Sequence, residues 1–321
     1  MHLKKIINKY FFGITIPQEF ICVDIENFGS PLKVFLRLHN SHSELINHDE
    51  QLFLGYKPLV IGIIAAHSSS RYKYLDECFN VNLVFKDEIN KSVAALELKK
   101  FEKVENESAC LFLFEGMHGD HSFQSAIYFI MNNMKYRLTA NRKGNVYLKS
   151  NLYHQVIIAY SVPRVISLVS LSDGKLCNLF PTDLNGNFGK ENYIVSLRIG
   201  GNAAKQVEEI KKILIVGMPA DSCSYVYSLS KNHMHDLADE NNFRFKSKRS
   251  VNFDFPVPEN AVSYSELELI NSIETGIHKL YFLKIIHTET FKQNSNKLAH
   301  IHRIYAEWRK KKSVHTDFYI R

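Results

Sequence analysis

The chain has a single tryptophan, five cysteines and eight prolines in 321 residues, and what it lacks removes several function classes at once. Cys22, Cys78, Cys110, Cys177 and Cys223 never fall at CxxC spacing, which argues against a thiolate metal site or a dithiol redox pair. Most of them sit inside apolar runs, so they read as small core residues in a reducing compartment. There is no GxSxG elbow, P-loop, HExxH pair or GxGxxG fingerprint. No apolar run approaches the roughly 18 residues a membrane span needs, and we expect a cytoplasmic protein without membrane attachment. The N-terminal stretch MHLKKIINKYFFGITIPQEF is basic and partly apolar, but Asn8, Lys9 and Tyr10 interrupt it and no small-residue cleavage site follows, so it does not read as a leader. Blocks of one charge sign are also missing, apart from RKKK at 309 to 312, which reads as a solvated helix end. The net charge of +7 is spread among acidic residues and predicts no nucleic-acid partner.

What the chain does have is β-forming residues: 22 Phe and 16 Tyr within a 45% hydrophobic composition. The length suits two domains. Self-similarity supports that division. The stretch KPLVIGIIAAHSSSRYKYLDECFNVNLVF, ending at Phe85, lies without a gap on ENYIVSLRIGGNAAKQVEEIKKILIVGMP, ending at Pro219. Both read as strand, small-residue turn, helix and strand, and Arg71 falls opposite Lys205. Upstream, PLKVFLRL from Pro31 answers PRVISLVSL from Pro163; downstream, ACLFLFEG answers HKLYFLKI after an insertion in the second copy. The polar stretch NRKGNVYLKSNL at 141 to 152 places the boundary at Ser150, giving domains 1–149 and 150–321. Short strands and hairpin signals such as LSDGKL predict a mainly β protein with some α (α+β), an antiparallel barrel in each half.

Two segments of the second copy carry candidate chemistry. In SLRIGGNAAKQVEEI, Gly200, Gly201 and Asn202 lie at a helix start, where small residues let the backbone approach an anion, free amides point toward it, and Lys205 adds charge. A plain strand-to-helix turn has the same pattern. A lone histidine such as His278, before the apolar strand HKLYFLKI, is more often a satisfied structural residue than a catalytic one.

Three signatures in this order resemble the flavin reductase-like proteins with an FMN-binding split barrel: PRVISLVSLSDGKLCNLFPTDLNGNF, then SLRIGGNAAKQVEEI, then SELELINSIETGIHKLYFLKIIHTE with Gly276 and His278. The resemblance covers about residues 155 to 290. It implies that Ser170, Asn178, Pro181, Thr182 and Asp183 meet the flavin ring and ribityl chain, that Gly200, Gly201, Asn202 and Lys205 hold the phosphate, and that His278 stands near the flavin or nicotinamide. The implied cofactor is FMN, or FAD, with NAD(P)H as co-substrate and hydride transfer as the chemistry. Where family members carry Thr or Ser at the helix start this chain has Ala203 and Ala204, which puts one phosphate contact in doubt. Family members pair barrels as homodimers, so the internal copy either replaces the partner, making a monomeric pseudo-dimer, or leaves a homodimer. The first half reads as a worn copy of the barrel with a residual phosphate site at Ser69, Ser70 and Arg71. Competing readings are a non-catalytic flavin- or haem-binding module and an interaction protein of two degenerate barrels.

Other clusters carry weaker signals. EGMHGDHSF brings His118, Asp120 and His121 together as at a metal site, but reads better as a loop leading into a helix near His121. His300 and His302 alternate without a third ligand, so they read as structural. The charged stretch at 232 to 250 reads either as a loop over the flavin or as a solvated helix.

Overall fold

The computed structural model describes residues 16, 18–38, 43–139, 146–292, 297–314 and 318–319. The basic N-terminal stretch up to residue 15 and the first part of the polar linker, 141–145, lie outside the described residues.

After β1 (Phe20–Asp24), the first half runs β2 (Lys33–Arg37), β3 (Ser43–Ile46), β4 (Gln51–Tyr56), β5 (Leu59–Ala66), helix α1 (Ser70–Glu77), β6 (Asn80–Lys86), β7 (Ser92–Glu105) and β8 (Ala109–His121). Helices α2 (Ala126–Thr139) and α3 (Leu152–Ala159) and the short β9 (Arg164–Val165) lead to the second half. That half runs β10 (Ser167–Ser172), β11 (Cys177–Thr182), β12 (Asn185–Phe188), β13 (Asn192–Arg198), α4 (Asn202–Ile210) and β14 (Lys212–Gly217). An insertion with α5 (Cys223–Ser228) and the hairpin of β15 (Ser247–Arg249) and β16 (Pro256–Pro258) precedes β17 (Ser263–Thr275) and β18 (His278–Thr290). The chain closes with β19 (Leu298–His302), α6 (Arg303–Lys311) and β20 (Phe318–Tyr319).

The duplication is visible in the topology. One seven-stranded antiparallel sheet has the order β3-β2-β6-β7-β8-β5-β4 and the other β11-β10-β14-β17-β18-β13-β12, the same path place for place. The fold class is thus mainly β with some α, built of two copies of one curled sheet. The register between the copies differs from the gapless alignment by two residues. Ser69 and Gly201 are the caps of α1 and α4, so Arg71 corresponds to Ala203 and not to Lys205. A shift of two preserves which face of a strand is buried, which is why the hydrophobic pattern alone did not reveal it.

Three apolar cores explain the long hydrophobic runs. Along β8, Cys110, Phe112 and Phe114 point into the first half's own core, while Ala109, Leu111 and Leu113 enter a third core shared with the second half. β18 does the mirror-image task, with Tyr281 and Leu283 in its own core and Leu280 and Phe282 in the shared one. Alternate side chains of one strand face opposite ways, so a strand covered on both faces reads as continuous apolar sequence.

The copies also dock reciprocally at their hairpins. The β17–β18 turn of the second copy lies on the β4–β5 turn of the first, where Ile277 N–H donates to Lys57 C=O at 3.1 Å. The β7–β8 turn of the first copy returns the contact, with Asn106 Nδ2 donating to Phe188 C=O at 3.1 Å beside the β12–β13 turn. Gly276 is required at its turn: φ is +57°, and a β-carbon there would lie 2.0 Å from the Lys57 carbonyl oxygen.

The ends of the chain cross between halves. A further sheet, β20-β1-β19-β9, joins both termini, and α3 and α6 contribute Ile157, Ile158, Tyr305 and Ala306 to the first half's core although they lie beyond Ser150. The basic end of α6 is not wholly solvated. Arg309 is buried and donates to the carbonyls of Phe28 and Ser30, and Lys312 reaches Asp87 at 2.8 Å. The EGMHGDH segment is strand, not loop: it continues β8, and Gly116 and Gly119 leave room for Gln155 of α3. The helix expected near His121 begins at Ala126. Among the described residues no three His, Cys, Asp or Glu side chains come together to hold a metal ion, no disulfide is formed, and no helix is long and apolar enough to cross a membrane.

Replacing Gly276 with Ala is expected to lower stability by about 1–3 kcal/mol, since the new β-carbon meets both an unfavourable φ and a backbone carbonyl. A urea denaturation midpoint that moves down with an unchanged slope would report it.

Candidate functional site

A cavity of about 760 Å³ opens on the second sheet, within the size range of small-molecule and cofactor sites. Its polar walls come chiefly from these segments. The end of β11 and the β11–β12 turn supply Pro181, Thr182 and Asp183; β13 and the start of β18 supply Ser196, Arg198 and His278; the insertion supplies Tyr227, Lys231, His233 and Met234; β19 supplies His300, and the first half supplies Tyr56. The 232–250 stretch therefore begins as a wall of this cavity, built from short 3-10 turns and not from a solvated helix.

His278 is 1% exposed and its Nε2 has no hydrogen-bond partner, while Nδ1 lies 3.3 Å from Ser196 Oγ. Tyr56 packs edge-on against its ring, with centroids 4.6 Å apart. Burial pushes the imidazole down to about 4, the Arg198 guanidinium adds to the shift, and Asp183 opposes it. His278 is thus a neutral imidazole at pH 7. Arg198, beside it, donates through Nε to Tyr56 Oη at 2.6 Å, linking the second copy's site to the first copy's hairpin.

Asp183 joins two other side chains at the site. Its Oδ2 accepts from Tyr160 Oη at 2.8 Å and from His300 Nδ1 at 2.7 Å. Burial alone works to raise this carboxyl, but the hydrogen bond from His300 and attraction to it, followed by the Tyr160 bond, outweigh burial and hold it below its ordinary value. His300, which the sequence pattern presents as structural, lines the cavity and also bonds Tyr227 Oη through Nε2.

The ten residues singled out from sequence divide evenly. Pro181, Thr182, Asp183, Gly201 and His278 line the cavity. Ser170, Asn178, Gly200, Asn202 and Lys205 do not. Ser170 is fully buried and donates to the Pro256 carbonyl at 2.8 Å. Asn178 is buried too, and its amide serves Gln206 and the Asn232 carbonyl, holding the insertion against α4. Gly200 and Lys205 are exposed. At the start of α4, Asn202 Nδ2 donates to Asp236 Oδ1 at 2.8 Å, and a β-carbon on Gly201 would lie 3.2 Å from the His233 carbonyl oxygen. The insertion thus brings its own carboxylate to the helix N-terminus that sequence reasoning reserved for an anion.

The corresponding region of the first copy is closed. Ser196, Arg198 and His278 are matched by Ile64, Ala66 and Ala109, and Tyr56 by Phe188. Ile64, Ala109 and Phe188 pack into the shared core. The residual phosphate site at Ser69, Ser70 and Arg71 is also absent: Ser69 caps α1 by accepting from Tyr72 N–H, and the Arg71 guanidinium is neutralised by Glu44 at 2.8 Å and Glu50 at 3.0 Å.

Tyr56, Arg198, Tyr227 and His300 were missed from sequence. Tyr56 and Tyr227 lie outside the three signatures, and only the folded chain brings them to the site. Arg198 is inside the second signature and was passed over for Lys205.

The buried neutral His278 predicts acid lability. Its folded value lies below the unfolded one, so the stability it contributes is present above about pH 6.5 and is lost as pH falls toward about 4. The slope is roughly 1.4 kcal/mol per pH unit for such a group. His278→Gln should flatten the fall of the melting temperature between pH 6.5 and 4.5, compared by calorimetry with the parent.

No protein-family model matches the chain, and no curated protein matches it either. Solved structures are similar over part of it. The FMN-binding protein from Thermus thermophilus with bound p-hydroxybenzaldehyde is 18% identical, covering 44% of this chain and 82% of its own, with a TM-score of 0.39. BorF, the flavin reductase component of a bacterial two-component tryptophan halogenase, is 11% identical over 52% of this chain and 97% of its own, at 0.42. The NADH:FAD oxidoreductase SgcE6 of Streptomyces globisporus is 8% identical over 53% and 93%, also at 0.42.

Proposed function

We propose that the cavity binds a flavin, FMN or FAD, and that the protein reduces it with NADH or NADPH. The observation that carries this reading is the buried, unpartnered Nε2 of His278 on the wall of a cavity of about 760 Å³. A buried polar nitrogen without a partner is costly unless something else completes it. Ile166, Phe180 and Val226 give the same cavity apolar surface for a planar ring system. When bound, the flavin would supply the hydride-accepting chemistry.

The chain's own tasks follow from its residues. His278, neutral and held edge-on by Tyr56, offers one hydrogen bond at a fixed position. Arg198 and Lys231 offer positive charge for a phosphate; the start of α4, where Asp236 already stands, is a weaker anchor. Tyr56 and the insertion limit water access from two sides. The first copy holds Tyr56 where a partner subunit would otherwise have to place a side chain, which supports a monomeric pseudo-dimer. Sedimentation equilibrium is expected to return a mass near 37.1 kDa, with a value near twice that counting against this assembly.

Asp236 at the helix start favours a second reading, a flavin-binding module without turnover. One set of measurements separates the two. FMN should raise the melting temperature and show the spectrum of a bound flavin, His278→Ala should weaken binding about tenfold, a loss of about 1.4 kcal/mol, and NADH or NADPH should be oxidised when FMN is present. Bound flavin with no oxidation of either nicotinamide would leave the module reading. No binding of FMN or FAD would reject both.

A further inference from the structure

Helix α2 is amphipathic the wrong way round. A surface helix ordinarily turns its apolar stripe to the core and its polar face to water. In α2 the inward face carries Phe129, Asn132, Asn133 and Tyr136. The Phe129 ring stacks on His154 with centroids 4.0 Å apart, Asn133 Nδ2 lies 3.3 Å from His154 Nε2, the Tyr136 ring stacks on Tyr153 at 4.1 Å, and the buried Asn132 donates to Gln124 Oε1 at 2.8 Å. The outward face carries Ile127, Ile130 and Met134, exposed by 70%, 59% and 59%, with Met131 half-buried between them. Positions i, i+3, i+4 and i+7 fall on one side of a helix, so these four side chains form a continuous apolar strip on the outside of the molecule.

The inward contacts hold the helix in this orientation: turning it over would bury the strip but would take Phe129, Asn133 and Tyr136 away from His154 and Tyr153. Beside the strip stands the basic end of α6. Lys311 Nζ lies 5.7 Å from the centroid of the Tyr128 ring, on α2 itself, and Lys310 and Lys311 are both exposed. Little nearby offsets them. The sequence has no Asp or Glu from residue 121 to 172, which includes all of α2. On neighbouring elements, Asp87 is taken up by Lys312 at 2.8 Å, and Asp120 acts on His154, on the inward side. Glu88 acts only weakly on the Tyr305 phenol of α6, which leaves the two lysines in excess over it.

We propose that the outer face of α2 and the lysine end of α6 together form a docking surface for an anionic lipid bilayer. Ile127, Ile130, Met131 and Met134 enter the boundary between headgroups and acyl chains, and Lys310 and Lys311 meet the headgroup charge. Charge complementarity selects this occupant: an apolar strip flanked by uncompensated lysines matches a surface that is negative outside and apolar beneath. A second copy of the chain, docked through the same face, would bring these lysines toward their own counterparts, which like-charge repulsion disfavours. The lack of long apolar runs concerns spanning segments only, and a strip one helix face wide escapes that criterion. The proposal goes beyond flavin binding and does not rest on it.

The test is co-sedimentation of the full chain with vesicles of phosphatidylcholine alone or of phosphatidylcholine mixed with phosphatidylglycerol. The mixed vesicles are expected to bind it about tenfold more tightly, and raising the salt from about 0.05 M to about 0.5 M should remove most of that preference. Ile127→Gln combined with Ile130→Gln changes no charge and should weaken binding about tenfold, whereas Ile130→Leu should leave it unchanged. Lys310→Ala with Lys311→Ala should abolish the preference for phosphatidylglycerol while circular dichroism stays the same. No binding to the mixed vesicles, equal binding to both kinds, or binding that survives the double glutamine variant would overturn the proposal. A sedimentation mass that doubles with concentration and returns to that of one chain in the glutamine variant would show the strip covered by a second copy, and would overturn it too. Should the glutamine variant fail to fold, the comparison of the two vesicle types and the two salt concentrations on the unaltered chain decides.

Discussion

The reciprocal docking of the two copies is the constraint on which the rest of the structure depends. Leu52, Leu54, Leu111 and Leu113 of the first sheet meet Ile194, Leu280 and Phe282 of the second in a core that belongs to neither half alone. Burying these side chains, at roughly 1.5–3 kcal/mol each, stabilises both sheets together. The hairpin contacts at Lys57–Ile277 and Asn106–Phe188 then set how the sheets face each other. Because the arrangement is a pseudo-two-fold one, any site at the interface should exist twice.

Among the described residues, only one such site is open. On one side the pseudo-symmetric positions carry Ser196, Arg198, His278 and Tyr56, a polar set that leaves a cavity; on the other they carry Ile64, Ala66, Ala109 and Phe188, of which Ile64, Ala109 and Phe188 pack into the shared core. The closed side strengthens the joint, while the open side borrows Tyr56 from the copy that lost its own polar groups. The insertion contributes to the same asymmetry. Asn178 and Gln206 clamp it to the sheet, and it delivers Tyr227, Lys231 and His233 to the open cavity.

Within that cavity the electrostatics divide into two regions. His278 and Arg198 form a region where burial keeps the imidazole uncharged and the guanidinium remains the cation. Asp183, His300 and Tyr227 form another, where a carboxylate held by two donors orients an imidazole and, through it, a phenol.

The sequence by itself determined the duplication, the succession of strand, turn, helix and strand in each copy, and the mainly β class, and it marked His278 and the Pro181–Asp183 segment, which the fold brings to one cavity. These are legible because apolar alternation, turn residues and repeated motifs are local properties of the chain. Tertiary structure alone decided where the second face of each apolar strand goes, and hence that β8 and β18 look inward to a shared core. It also decided that Ser170 and Asn178, which share the motif with Asp183, serve the packing of the insertion. The alternation that placed the strands is blind to a shift of two, so Arg71 appeared to match Lys205 when it matches Ala203. His300 looked structural because its partners lie far away in the chain: Asp183 and Tyr227 reach it only after β19 has crossed back between the halves.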